Sequence, residues 1–306
     1  MHPIDVADLA VRADVIVLGQ LASLRMVEPT TAEAATKSSR IQGSVTSDRL
    51  IKGRAEGSTL RIDFVAPQGS MDVSSGQYGV FFLTQSGDSF EFTDQTYPFV
   101  PAYQGVEVRP GPPLDQITAI LGEAVESTGQ LTYSERERAL DALRRLHTES
   151  AGALLRRALQ RASGDFKIEI ARSLVARNDL AGFSVVTEAL LHSPGLPGTT
   201  VANLAGSLAG LKDARAIPGL TQLAESGNPY IRLNAARALR QTGSPAALRP
   251  LSLLLNDADP QVRYYAVVGM GEITHQDEWT PALDEFRARE DRYLTHWRKW
   301  AESNLS

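Results

Sequence analysis

Two stretches of the chain repeat one another at a distance of 31 residues, counted from Asn228 to Asp259. Placing Asn228 on Asp259 aligns Pro229 with Pro260, Ile231 with Val262, Arg232 with Arg263, Ala235 with Ala266 and Leu239 with Met270. Self-similarity at this period restricts the chain to stacked units, because one such unit cannot bury its own apolar stripe and needs neighbours to cover it. Part of the echo is helix-start chemistry. Asn228 and Asp259 stand where an N-cap oxygen can accept from free backbone N–H groups, and Pro229 and Pro260 take the first helical position, where a missing N–H is harmless. The rest is packing: Ile231, Ala235, Ala238 and Leu239 share one helical face, and the small alanines let helices approach closely.

The same alternation extends both ways. Helix pairs are expected at about 134–147 with 150–161, 166–177 with 180–192, 199–211 with 214–225, 229–241 with 245–255, and 260–274 with 280–289. The segments DPQVRYYAVVGMGEI and NPYIRLNAARALRQTGSPAALRPL resemble HEAT repeats, particularly the short bacterial variety also found in phycobilin-lyase-type proteins. The resemblance covers about half the chain and implies an α-solenoid; such solenoids serve transport, scaffolding and pigment attachment alike.

The first third has a different period. ADVIVLG (13–19), TLRIDFV (59–65) and QYGVFFL (77–83) are β-branched, aromatic or alternating, and turn residues bound them. With RIQGSVTSDRLIKG (40–53) and SFEFT (89–93) they make about five strands of a small antiparallel barrel or sandwich. The polar, aperiodic stretch 28–39 is expected to be a mobile hairpin loop. Five prolines between Tyr97 and Pro113 exclude helix and central strand there and suggest a semi-rigid connector. RADVIVLGQL, RLIKG and YGVFFL resemble the strands of bacterial OB-like domains related to the TIMP-like barrel. Inhibitors of that family bind a protease metal through an N-terminal cysteine; this chain has no cysteine, so that activity does not carry over. The resemblance does imply a periplasmic or secreted setting, although the chain as given shows no signal peptide.

The expected fold is therefore α+β in two domains: an OB-like β-barrel at 1–105, a Pro-rich connector and first helix at 106–130, and a solenoid of about five HEAT-like helix pairs with a C-terminal capping helix at 131–306. The chain's charge of −5 divides into 9 basic and 16 acidic residues up to Gln130 and 22 and 20 beyond it, so neither part is basic enough for nucleic-acid binding. The longest uncharged run, 189–211, is broken by His192, Pro194, Gly195, Pro197 and Gly198, which excludes a membrane-spanning helix.

Candidate chemistry is sparse. Without cysteine there is no disulfide, thiolate metal site or cysteine nucleophile, and the five histidines, His2, His147, His192, His275 and His296, are scattered. HQDE (275–278) reads as a solvated inter-helix loop rather than a metal site. GDSF (87–90) starts like a serine-esterase motif but falls at a hairpin turn. GLPGTT (195–200) lacks the lysine and the preceding strand of a phosphate loop. Arg232 and Arg263, at one repeat phase, read as a structural ladder with acids such as Asp257 and Asp259 rather than as an anion strip. Tyr293, Trp297 and Trp300 fall on one helical face and read as the cover of the last repeat, not as a ligand platform.

No cofactor and no catalytic residue is expected. The leading expectation is a non-catalytic scaffold whose second helices line a concave surface for a protein or peptide, through Glu188, Gln222, Arg249 and Leu253 at comparable outward positions. The alternative implied by the phycobilin-lyase likeness is an enzyme or chaperone that holds a chromophore in the solenoid groove.

Overall fold

The computed structural model describes residues 5–27, 38–67, 73–192 and 195–305. His2, most of the expected loop at 28–39 and part of the turn before QYGVFFL lie outside the described residues. Contacts divide the chain into two compact units, Met1–Arg161 and Ala162–Ser306.

The first unit opens with a short helix, α1 (Val6–Arg12), capped by Asp5, whose side chain accepts from the Asp8 N–H. Its C-terminal end is held by Lys52, whose Nζ donates to the carbonyls of Ala10, Val11 and Ala13 at 2.9, 2.9 and 2.6 Å. A cation on the carbonyl end satisfies free acceptors and complements the helix dipole. Six strands follow: β1 (Val15–Val27), β2 (Ser38–Lys52), β3 (Thr59–Pro67), β4 (Tyr78–Ser86), β5 (Ser89–Phe92) and β6 (Phe99–Pro101). The order β1-β2-β3-β5-β4, with β1 also pairing β4, closes a five-stranded barrel, and β3 meets β5 in parallel at Ile62 and Phe90. Strand β1 can serve both neighbours because its register shifts beside Gly19, where a Cβ would lie 2.1 Å from the Thr46 carbonyl oxygen. Val17, Leu21, Val45, Leu60, Ile62, Phe81, Leu83 and Phe92 fill the interior.

GDSF is a turn. Gly87 (φ +60) and Asp88 link Ser86 to its partner Ser89, as in the primed two-residue hairpins that need a positive φ. Part of the expected connector, by contrast, belongs to the sheet: Phe99–Pro101 pairs with the edge of β4, a place where proline is tolerated. The chain beyond it is tied down as well. Arg49 donates to the Val108 carbonyl, and the Arg138 guanidinium lies 5.2 Å from the Phe99 ring centre.

Helices α2 (Pro113–Glu126), α3 (Tyr133–Arg145) and α4 (Glu149–Arg161) complete the unit. Arg157 and Arg161 of α4 both pair with Glu126 of α2. The first compact unit thus runs to Arg161 and includes the first expected helix pair, with α3 packed on β6 and α4 on α2. Proline content marks where helices cannot form; it does not mark where packing stops.

The second unit contains α5 (Gly164–Val175) with α6 (Phe183–His192), α7 (Gly198–Ser207) with α8 (Ile217–Ala224), α9 (Pro229–Gln241) with α10 (Leu248–Leu254), α11 (Pro260–Thr274) with α12 (Leu283–Ala288), and α13 (Glu290–Asn304). The second helices are shorter than the sequence suggests. Asp179, Asp213 and Ser244 each accept from the N–H two residues on, which tightens the first turn into the 3-10 segments Leu180–Gly182, Ala214–Ala216 and Pro245–Ala247. Asn228 and Asp259 are N-caps, accepting from the N–H groups of Tyr230 and Gln261.

Arg232 and Arg263 build the ladder between repeats. The Arg232 fork donates to both Asp257 oxygens at 2.7 and 2.9 Å while its Nη1 reaches the Ser226 and Gly227 carbonyls. One repeat on, Arg263 donates to the Asp257 and Ala258 carbonyls and to Glu290. The guanidinium therefore holds the preceding loop and the following repeat at once.

At the end of the unit, Tyr293 and Trp297 of α13 are 1% and 0% exposed. Trp297 Nε1 donates to the Trp279 carbonyl at 3.1 Å, and the Tyr293 hydroxyl donates to Glu285 at 2.6 Å. Val262, Ala266, Met270 and Phe286, which need cover, are all buried. HQDE is the mostly exposed turn after α11, which ends at His275 in the left-handed region (φ +56). No helix among the described residues is long and apolar enough to cross a membrane.

Candidate functional site

The second helices α6, α8 and α10 are offset by 34 and 31 residues, so Glu188, Gln222 and Leu253 occupy equivalent places. Val186, Leu220 and Leu251 point inward at the positions two before them and are fully buried. Helical geometry then turns Glu188, Gln222 and Leu253 outward, and Leu253 is 63% exposed.

Two grooves lie between successive second helices. The α6/α8 groove, about 450 Å³, is lined by Phe183, Ser184, Thr187, Glu188, Leu191, His192, Gly219 and Gln222. Its floor depends on Gly219: a Cβ there would lie 2.6 Å from the Phe183 ring, so glycine lets that ring rest against α8. Thr187 Oγ1 is buried beside it with no hydrogen-bond partner among the described residues. The α8/α10 groove, about 220 Å³, is lined by Thr221, Ala224, Glu225, Pro250, Leu253, Leu254, Asn256 and Asp257.

Of the four residues singled out from the sequence, Glu188 and Gln222 thus share one groove and Leu253 lines the next. Arg249 lines neither. Its repeat equivalent, Ser184, borders the α6/α8 groove from α6, and the corresponding interval beyond α10 is taken by α13, which packs on α10. Phe183, Thr187 and Glu225 were not singled out; a glycine in the middle of α8, facing an aromatic one repeat earlier, is the trace they leave in the sequence.

The charges of the grooves are of two kinds. Asp257 is committed to Arg232: burial pushes its pKa up, but the hydrogen bonds from Arg232 and from the Asp259 N–H outweigh that and hold it below the usual carboxylate range. Glu188 and Glu225 are exposed and form no ion pair among the described residues. A further depression at the end of the unit is bordered by Asn256, Asp257, Arg263, Glu290, Asp291, Leu294 and Arg298, of which Arg263 and Glu290 pair with each other. Among the described residues no group of three or more His, Asp and Glu is placed to hold a metal ion.

Residues 200–271, from α7 into α11, match the family model for HEAT repeats. Among solved structures, the chain is similar to an engineered protein, with a TM-score of 0.37 and 18% identity over 54% of this chain and 85% of that one. It is also similar to a designed armadillo repeat protein in complex with the peptide (KR)4, with a TM-score of 0.37 and 17% identity over 61% and 98% of the two chains. A further similar structure is human deoxyhypusine hydroxylase in complex with glycerol, with a TM-score of 0.28 and 16% identity over 61% and 95%. No curated protein matches the sequence.

Proposed function

We propose that this protein is a non-catalytic interaction scaffold that binds a protein or peptide along the second-helix face of its HEAT-repeat solenoid. The observation that carries this is the row of outward positions Glu188, Gln222 and Leu253, set beside two open, partly apolar grooves and ending in a leucine that is 63% exposed. An exposed leucine beside a groove gives little to the fold and much to a partner that covers it. The chromophore-handling alternative draws no support from the groove linings: His192 has neither Tyr nor Asp beside it in the α6/α8 groove, and the α8/α10 groove has Asp257 without His or Tyr.

The test is paired capture from the native organism with the wild-type chain and with Gln222→Arg/Leu253→Arg. Both positions are exposed, so the variant is expected to melt like the parent while retaining about tenfold less of a captured partner, the loss typical of an interface hot spot. Equal retention by a well-folded variant contradicts the assignment. We further place the protein in the periplasm or outside the cell, on the barrel's resemblance to exported domains. Recovery of the native protein from the cytosol alone contradicts that placement.

A further inference from the structure

Glu188 lies in the last two turns of α6, and Glu225 is the C-cap residue of α8. At that C-cap the Glu225 carboxylate faces the negative end of the helix dipole, where a cation is favoured. Among the described residues neither Glu188 nor Glu225 has a basic partner, and His192 is the only basic side chain lining either groove. Folding thus leaves one exposed carboxylate without a cationic partner at each groove, mid-helix on α6 and at the C-cap of α8. Beside each lies apolar surface long enough for an alkyl stem: Phe183 and Leu191 at the first, Pro250 and Leu253 at the second.

We infer that the occupant of these grooves is an extended basic segment of a partner protein, with one Lys or Arg seated at Glu188 and a second at Glu225. This rests on the proposed function and narrows it to one ligand chemistry. Long basic side chains fit because each can lay its methylenes on the apolar floor and carry its charge to the rim. Packed helices lie about 10 Å apart and an extended polyproline II segment rises about 3.1 Å per residue with about three residues per turn, so two basic residues about three positions apart stand on the same face. A residue between them would lie over the α6/α8 groove, beside Leu191 and Gln222. Asp257 takes no part as an anchor, since Arg232 already holds both its oxygens.

The experiment is fluorescence anisotropy at low salt with the full chain and three labelled peptides. They share a serine, glycine and leucine background and carry two lysines three positions apart, two glutamates at those positions, or two glutamines. The lysine peptide is expected to bind best and to weaken as salt is added. Glu188→Gln and Glu225→Gln, which keep size and exposure, should each weaken it about threefold and together about tenfold, the scale of exposed ion pairs. Unchanged melting temperatures would show that the variants fold. Equal binding of the lysine peptide to the double variant overturns the inference. So does better binding of the glutamate or glutamine peptide; if Leu253→Arg then abolishes that binding, the face remains a docking surface for another chemistry and the proposed function stands. If none of the three peptides binds, the basic-segment inference falls, and the paired capture above decides the function on its own.

Discussion

Replacing Trp297 by alanine should lower the stability of the 162–306 unit by about 4 kcal/mol, the scale of deleting a fully buried large aromatic. Trp297 is 0% exposed, packs edge-on against Trp300 at a ring distance of 5.6 Å, and donates its indole N–H to the Trp279 carbonyl. Alanine would open a cavity and leave that carbonyl without its partner, uncovering the face of Val262, Ala266 and Met270. Adding Trp300→Ala should lower the melting temperature further and promote aggregation through the exposed apolar surface. Calorimetry and light scattering on heating check both. A ligand platform would behave in the opposite way, keeping its stability and losing binding; a double variant that melts like the parent would reopen these aromatics as a site.

The second large effect is expected at Asp257. Its side chain is 5% exposed and that of Arg232 17%, so removing the carboxylate leaves a nearly buried guanidinium without a counter-charge. Asp257→Ala should cost about 3–5 kcal/mol, because an uncompensated buried charge is far worse than a missing pair. The Asp259 N–H also loses the acceptor it now finds at 2.8 Å, loosening the cap of α11. The pH dependence has a definite sign. The folded-state pKa is lowered, so this contribution is fully present above the usual carboxylate value of 3.8 and is lost as pH falls through the lower, folded value. The stability gap between wild type and Asp257→Asn, measured by urea unfolding, should therefore be constant near neutrality and shrink in acid. A gap that persists unchanged in acid would mean the charge is not the stabilising element.

Local chemistry made much of the solenoid legible. Asn228 and Asp259 announce helix starts because a short polar side chain before proline has few better uses. Arg232 could be matched to Asp257 because a charge repeated at one phase needs a partner between repeats; Arg263 instead takes Glu290, which lies outside the repeat phase, and Asp259 serves as an N-cap. Tyr293 and Trp297 could be placed inside because a repeat array needs an end. The rest depends on contacts far apart in sequence. Phe99–Pro101 joins the sheet only because β4 offers an edge, and α2 to α4 join the first unit through contacts such as Arg138 over the Phe99 ring. At the candidate site, the outward phase of Glu188, Gln222 and Leu253 follows from helical period alone. The α6/α8 groove does not: it exists because Gly219 meets Phe183 of the preceding repeat, and Arg249 shares the phase while α13 fills the interval where its groove would be.

The central claim, that the second-helix face is where this protein meets its partner, is tested most directly by site-specific photocrosslinking in the native cells. A photoreactive phenylalanine analogue is placed at Gln222 or Leu253 on second helices, and at Gln241 or Gln261 on first helices, all exposed positions. The account predicts one discrete adduct from Gln222 and Leu253 and none from Gln241 and Gln261. An adduct of the same size from the first-helix positions alone would contradict it.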